Sequence, residues 1–109
     1  MKLWIDDLRD PYRGYYHIHS VNEARYFIMM VEMAQRTLLG VPREFYTIEV
    51  IDIDHDAGDY AGDGGDYIQL LNWLEKTGRN YPIRIHSMNP VGRENMRAII
   101  RRNGWKEVM

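Results

Sequence analysis

The chain has 109 residues, one domain's worth (1–109), and its 45% apolar and 12% aromatic content can supply a core that a disordered segment lacks. No apolar run approaches the roughly 20 residues of a membrane span, the start MKLWIDDL turns acidic too early for a signal peptide, and without cysteine there is no disulfide framework or thiolate metal site, so a soluble cytoplasmic domain is expected. The net charge of −2 hides an asymmetry: residues 49–66 hold seven acids and no base, while residues 79–109 hold seven Arg or Lys against two Glu, and so near-neutral a total argues against a duplex-DNA binder.

Lys2–Asp6 (KLWID) is a short apolar run ending in acid and predicts a buried strand. Asp10-Pro11 and Gly14 mark a loop, and Tyr15–His19 (YYHIH) predicts a second strand. Ser20 with Glu23 forms a capping-box pattern, followed by Ala24, Phe27, Ile28, Val31, Ala34 and Leu38 at helical spacing over Val21–Leu39, with Gly40 as the stop. Tyr46–Asp54 predicts a third strand, Asp56–Gly65 a loop, and Asp66 the cap of a second helix with Tyr67, Leu70, Leu71 and Leu74 inward. Tyr81–His86 predicts a fourth strand, Gly92–Asn103 a third helix with Met96, Ile99 and Ile100 inward, and Trp105–Val108 a fifth strand.

The order β-β-α-β-α-β-α-β predicts a mostly parallel sheet covered by helices on both faces. The join between the first two strands is short for a parallel crossover. About eight extended residues reach roughly 26 Å, enough to run back along a short strand, which favours a parallel second strand over an antiparallel edge.

Ligands of such sheets bind beyond the carboxyl ends of the strands. There the chain places Asp6-Asp7, Asp54-His55-Asp56 and His86-Ser87 with Asn89. Asp6, Asp7, Asp54 and Asp56 are candidate oxygen ligands for Mg²⁺ or Mn²⁺, since clustered carboxylates repel unless a cation relieves them. Asp52 shares the strand face of Asp54 and is either a support of the site or the partner of an Arg. Asp59 and Asp63 read as solvated loop acids. His55 and His86, on separate strand ends, are candidate acid and base for a phosphate ester, although a lone strand-end histidine is more often a buried hydrogen bonder. His17-x-His19 is a weaker metal candidate. Pro90-Val91-Gly92-Arg93 opens a helix whose free N–H groups suit phosphate, with Arg93 adding a charge-assisted contact. Arg97 and Arg101 read as a solvated face, and Tyr12, Tyr15, Tyr16 and Tyr60 as aromatics able to stack a base or to pack at a rim.

Three segments, Asp6-Asp7-Leu8-Arg9, Asp54-His55-Asp56 and His86 to Met96 (HSMNPVGRENM), resemble the cyclic-phosphate-processing receiver-like family, a divergent branch of the response-regulator receiver fold. The resemblance covers nearly the whole chain. It implies an α/β, three-layer, flavodoxin-like sheet of five strands in order 2-1-3-4-5, with the first and last receiver helices missing. It also implies that Asp6, Asp7 and Asp54 hold a divalent metal, that Asp54 corresponds to the receiver's phosphoacceptor and that Ser87 corresponds to its Thr/Ser. The receiver's Lys has no clear match. The function expected is a metal-dependent phosphoesterase acting on a cyclic phosphate of a nucleotide or RNA end. Asp54, His55 and His86 would serve catalysis, and Arg9, Ser87, Asn89, Gly92 and Arg93 would bind phosphate. The alternatives are an aspartyl-phosphate signalling switch and a non-catalytic module that binds a nucleotide or RNA end.

Overall fold

A computed structural model describes residues 1–109. The elements run β1 (Lys2–Ile5), β2 (Tyr15–Ile18), α1 (Val21–Thr37), β3 (Val50–Ile53), α2 (Ile68–Lys76), β4 (Ile83–Ile85) and α3 (Pro90–Asn103). Single 3₁₀ turns occur at Arg43–Phe45 and Gly58–Tyr60. No helix is long and apolar enough to cross a membrane.

All strand pairs are parallel, in the order β2-β1-β3-β4. The short join therefore does carry the chain back for a parallel second strand. The fifth strand does not form. Trp105–Val108 contributes one parallel bridge, Ile83 to Glu107, in which Ile83 N–H donates to the Lys106 carbonyl and Val108 N–H to the Ile83 carbonyl. Val108 and Met109 line a cleft beside His86.

Nor is the sheet covered on both faces. Leu3, Ile5, Ile18, Ile51, Ile53, Ile83 and Ile85 belong to one core with Ala24, Ile28 and Val31 of α1, Leu70, Leu71 and Leu74 of α2, and Met96, Ile99 and Ile100 of α3. Successive strand residues point to opposite faces, so all three helices lie on the isoleucine face and the fold has two layers, not three. The physical reason is handedness. The connections β2–α1–β3, β3–α2–β4 and α3 after β4 all step the same way across the sheet, and right-handed crossovers stepping the same way stack on one face. The opposite face carries Tyr15 and His17, Lys2 and Trp4, Val50 and Asp52, and Arg84. His17, Trp4, Asp52 and Arg84 form one row across it.

The helix boundaries follow from local chemistry. Ser20 caps α1 by accepting from the Glu23 N–H, and α1 stops at Thr37, three residues before Gly40. Asp66 does not cap α2. Its carboxylate instead accepts from the Ala57 N–H and closes the preceding loop, and α2 starts at Ile68 without a side-chain cap. Helix α3 starts at Pro90, two residues before Gly92, because Asn89 caps it by accepting from the Gly92 N–H and Pro90 fits the first turn. Asp63 is not a free loop acid. It accepts from Ser20 Oγ at 2.6 Å and from Asn22 Nδ2 at 3.0 Å, which ties the acidic loop to the start of α1 and holds the Asp63 carboxyl below its ordinary value.

Candidate functional site

The strand ladders continue one residue beyond the named strands. Asp6 N–H donates to Ile18, Asp54 N–H to Ile5 and His86 N–H to Ile53. This puts Asp6, Asp54 and His86 side by side at the carboxyl edge, with the strand parity of Trp4, Asp52 and Arg84, on the face without helices. The next residues, Asp7, His55 and Ser87, have the opposite parity and fall on the helix side. The polar residues predicted at this edge thus divide between two faces.

On the open face, His86 is almost buried, at 6% side-chain exposure. Its Nε2 meets Asp6 Oδ2 at 2.8 Å and its Nδ1 meets Asp52 Oδ1 at 2.7 Å. The Trp4 ring stacks on the imidazole with centroids 3.9 Å apart and planes 4° from parallel. Both ring nitrogens are thus engaged by buried carboxylates. Asp52 is fully buried and also accepts from Arg84 Nη1 at 3.0 and 3.3 Å. It therefore pairs with an Arg and supports the site at once. Beside it, burial and the Asp52 charge raise the Tyr15 hydroxyl above its ordinary value.

Asp6 is also fully buried. Burial alone would raise its carboxyl, but N–H groups of Arg9 and Leu8, both 2.9 Å from Oδ1, and the His86 ring outweigh this and hold it below its ordinary value. Asp7 is raised instead, by burial and then by the charges of Asp6 and Asp54, against a smaller opposing contribution from its own N–H. Asp54 accepts from the His55 N–H through Oδ1 at 2.8 Å. No hydrogen bond reaches its Oδ2.

One ligand atom each from Asp6, Asp54 and His86 lies within 4.8 Å of the others. A divalent cation fits the carboxylates, because hard cations take oxygen donors and one would relieve the repulsion that raises Asp7. It does not fit His86, whose two nitrogens are both engaged. Asp56 stands outside this group, two-thirds exposed and bonded to His55. His17 and His19 stack on each other at 4.1 Å, but His17 Nε2 is taken by the Asp6 carbonyl and neither joins the carboxylates.

On the helix side, His55 Nδ1 meets Asp56 Oδ1 at 2.8 Å and its Nε2 has no protein partner. The ring packs flat against the start of α3. A Cβ on Gly92 would lie 2.5 Å from two ring carbons, so only glycine lets the helix approach this closely. Gly58, at φ +55°, similarly leaves room for the Asp7 carboxylate. The other predicted phosphate binders hold the turn into α3 together. Ser87 is buried, and its Oγ accepts from the Asn89 N–H. Asn89 caps α3 and Arg93 Nη1 donates to the Ser87 carbonyl. Arg97 is no solvated residue, since it forms a two-pronged pair with Glu107 at 2.7–3.0 Å. Arg9 lies exposed on the loop after Asp6 with no ion pair.

Trp4 and Arg84 are not evident as site residues from the sequence; Tyr67, expected to face inward, is fully buried and donates to the His19 carbonyl at 2.6 Å. A signal for the first two was present: in KLWID, VIDID and IRIH, polar or amphipathic residues alternate with Leu or Ile.

No curated protein and no solved structure matches the chain. The family model of the cyclic-phosphate processing receiver domain matches residues 1–102, which takes in every strand and nearly all of α3. With its parallel receiver-like sheet and acids ending β1 and β3, the chain belongs to the cyclic-phosphate processing receiver domains.

Proposed function

We propose that this domain is a divalent-cation-dependent phosphoesterase that opens a cyclic phosphate on a nucleotide or RNA end. The observation that carries this reading is the pairing of Asp6 with Asp54 at one sheet edge, with Asp7 close enough to feel the charge of both, and beside Asp54 in the chain a histidine, His55, whose Nδ1 is held by Asp56 and whose Nε2 is free.

Opening a cyclic phosphodiester adds water across one P–O bond. A proton must leave the attacking water and a proton must reach the departing ribose oxygen. A histidine with one nitrogen held by a carboxylate and the other free is suited to such transfers, which contribute about 10²–10⁴ in rate. His55 takes this role. His86, engaged at both nitrogens, positions Asp6. Asp6, Asp7 and Asp54 would hold the cation, which when bound supplies Lewis-acid stabilisation of charge on the phosphoryl oxygens. The N-terminal end of α3, against which the His55 ring packs, carries the positive end of the helix dipole and favours an anion there.

The test is hydrolysis of a panel of cyclic nucleotides and of RNA ending in a cyclic phosphate, with Mg²⁺ or Mn²⁺. Turnover is expected, with a loss of at least about 100-fold in His55→Ala. No turnover on any member of the panel, or an unimpaired His55→Ala, would refute the reading. Stable phosphorylation of Asp54 by a small phosphodonor, seen by mass spectrometry, would point instead to an aspartyl-phosphate switch.

A further inference from the structure

A cleft of about 470 Å³ opens on the side of His86 and Trp4, lined also by Arg9, Tyr12, Arg84 and Arg93. This is within the usual range for small-ligand sites, about 300–1,000 Å³. Its charges are not equivalent. Arg84 is committed to Asp52 and Arg97 to Glu107. Arg9 and Arg93 have no carboxylate partner. Arg93 is the exception in its own stretch, where Arg79, Arg84, Arg97, Arg101 and Arg102 are all ion-paired. Two unneutralised guanidiniums thus share one concavity with an aromatic wall. Tyr12 is 61% exposed and sits edge-on to Trp4 at 5.3 Å, which leaves ring surface available for a planar ligand.

We infer that this cleft is a nucleotide subsite, taking a phosphate between Arg9 and Arg93 and a base against Tyr12. Guanidiniums suit a phosphate group through paired N–H donors, and an exposed aromatic ring stacks bases of any sequence. Apolar ligands fit poorly, because guanidiniums and carboxylates line so much of the wall. The phosphate bound here is distinct from one processed at the carboxylates, which repel anions unless a cation is present. The inference rests on the proposed function for its consequence: the preferred substrate carries a second phosphate besides the cyclic one, as the end of an oligonucleotide does.

Binding and turnover can be tested separately. Calorimetry in the presence of EDTA, with adenosine 5′-monophosphate, adenosine and inorganic phosphate as probes, reads the cleft without hydrolysis. The monophosphate is expected to bind at least about tenfold tighter than either fragment. Arg9→Gln and Tyr12→Ser, both at exposed positions, should each weaken it by at least about fivefold, while Asp54→Asn leaves it unchanged. Equal binding of phosphate and monophosphate would overturn the base contact. Indifference to Arg9→Gln, or no binding at all, would overturn the subsite. If the monophosphate binds as expected and no cyclic phosphate is hydrolysed, the subsite stands and the phosphoesterase reading fails. Where hydrolysis is found, Arg9→Gln should raise KM for a cyclic-phosphate-ended dinucleotide more than for a cyclic mononucleotide, and an equal effect on both would overturn the second-phosphate assignment.

Discussion

Asp52→Asn is the sharpest test of the open-face network. Asp52 meets His86 Nδ1 at 2.7 Å and accepts from Arg84 Nη1 at 3.0 Å while fully buried. Asparagine keeps the shape but removes the charge that the imidazole and the guanidinium share, and its single oxygen can serve only one of them. The Arg84 side chain is one-third exposed and can turn to water, so its share is small, about 1 kcal/mol or less after solvent screening. His86 cannot turn away, because the Trp4 ring and Asp6 hold it. Losing the carboxylate from this buried contact costs between the about 1–3 kcal/mol of an unsatisfied buried polar group and the about 3–5 kcal/mol of a broken buried charged pair. A loss of about 3 kcal/mol results, and at roughly 4–8 °C per kcal/mol for a domain near this size the midpoint should fall by more than about 10 °C. Urea and thermal unfolding followed by circular dichroism at pH 7 measure it. Arg84→Gln is the control, expected to cost about 1 kcal/mol or less. Equal losses in the two variants, or a loss below about 1 kcal/mol in Asp52→Asn, would refute the reasoning that the His86 contact dominates.

Asp7→Asn should change sign with the cation. Its carboxyl is raised in the fold, so its contribution is present below the unfolded value of 3.8 and is lost as pH rises through the folded value. At pH 7 in EDTA the neutral variant is therefore expected to be more stable than the parent, whereas in saturating Mg²⁺ or Mn²⁺ the parent should be the more stable. Thermal shifts in both buffers decide, and a variant that gains as much from the cation as the parent does would remove Asp7 from the cation set. Gly92→Ala gains up to about 1 kcal/mol of helix propensity but drives a Cβ into the His55 ring, an overpacking cost of about 1–3 kcal/mol. Stability should therefore fall by no more than about 2 kcal/mol, while hydrolysis drops by more than tenfold through the displaced histidine. A more stable, fully active Gly92→Ala would show that the close approach does not matter.

Much of this was legible because each motif sat at the end of an apolar run. KLWID, VIDID and IRIH announce strands whose carboxyl ends carry Asp6, Asp54 and His86, and a parallel sheet aligns those ends. The capping of α1 by Ser20 was legible for a similar reason, a short-range pattern with a local mechanism. What was missed depends on contacts distant in sequence. Asp66 looked like a cap because it precedes a helical stripe, yet Ala57, nine residues back, takes its carboxylate. Asp63 looked solvated because its neighbours are glycines and acids, yet Ser20 and Asn22, more than 40 residues earlier, bind it. Arg97 looked like part of an exposed stripe, and only the return of Glu107 beside α3 pairs it. Asp56 falls in Asp54-His55-Asp56 beside a cation ligand, but the β3 ladder ends at Asp54, and Asp56 lies beyond it, two-thirds exposed with His55 as its partner.

The expectation of helices on both faces failed for a reason that also explains the site. Short apolar strands were read as buried on both sides, although each alternates Leu or Ile with Trp, Asp, Arg or His. Alternation of this kind belongs to a sheet with one apolar face packed by helices and one polar face without them. Only the β1–β2 join steps across the sheet in the opposite direction, and a right-handed helix there would have covered Trp4, Asp52 and Arg84. The join is a loop instead, so those residues satisfy one another: Asp52 with Arg84 and His86, His86 with Asp6, Trp4 with His86 and, through its indole N–H, with the Arg9 carbonyl. The same loop delivers Arg9 and Tyr12 to the cleft. The acidic and basic halves of the sequence therefore meet by strand parity. Alternate residues of β1, β3 and β4 present both charges on the open face, and the parity-shifted residues Asp7 and His55 fall on the helix side.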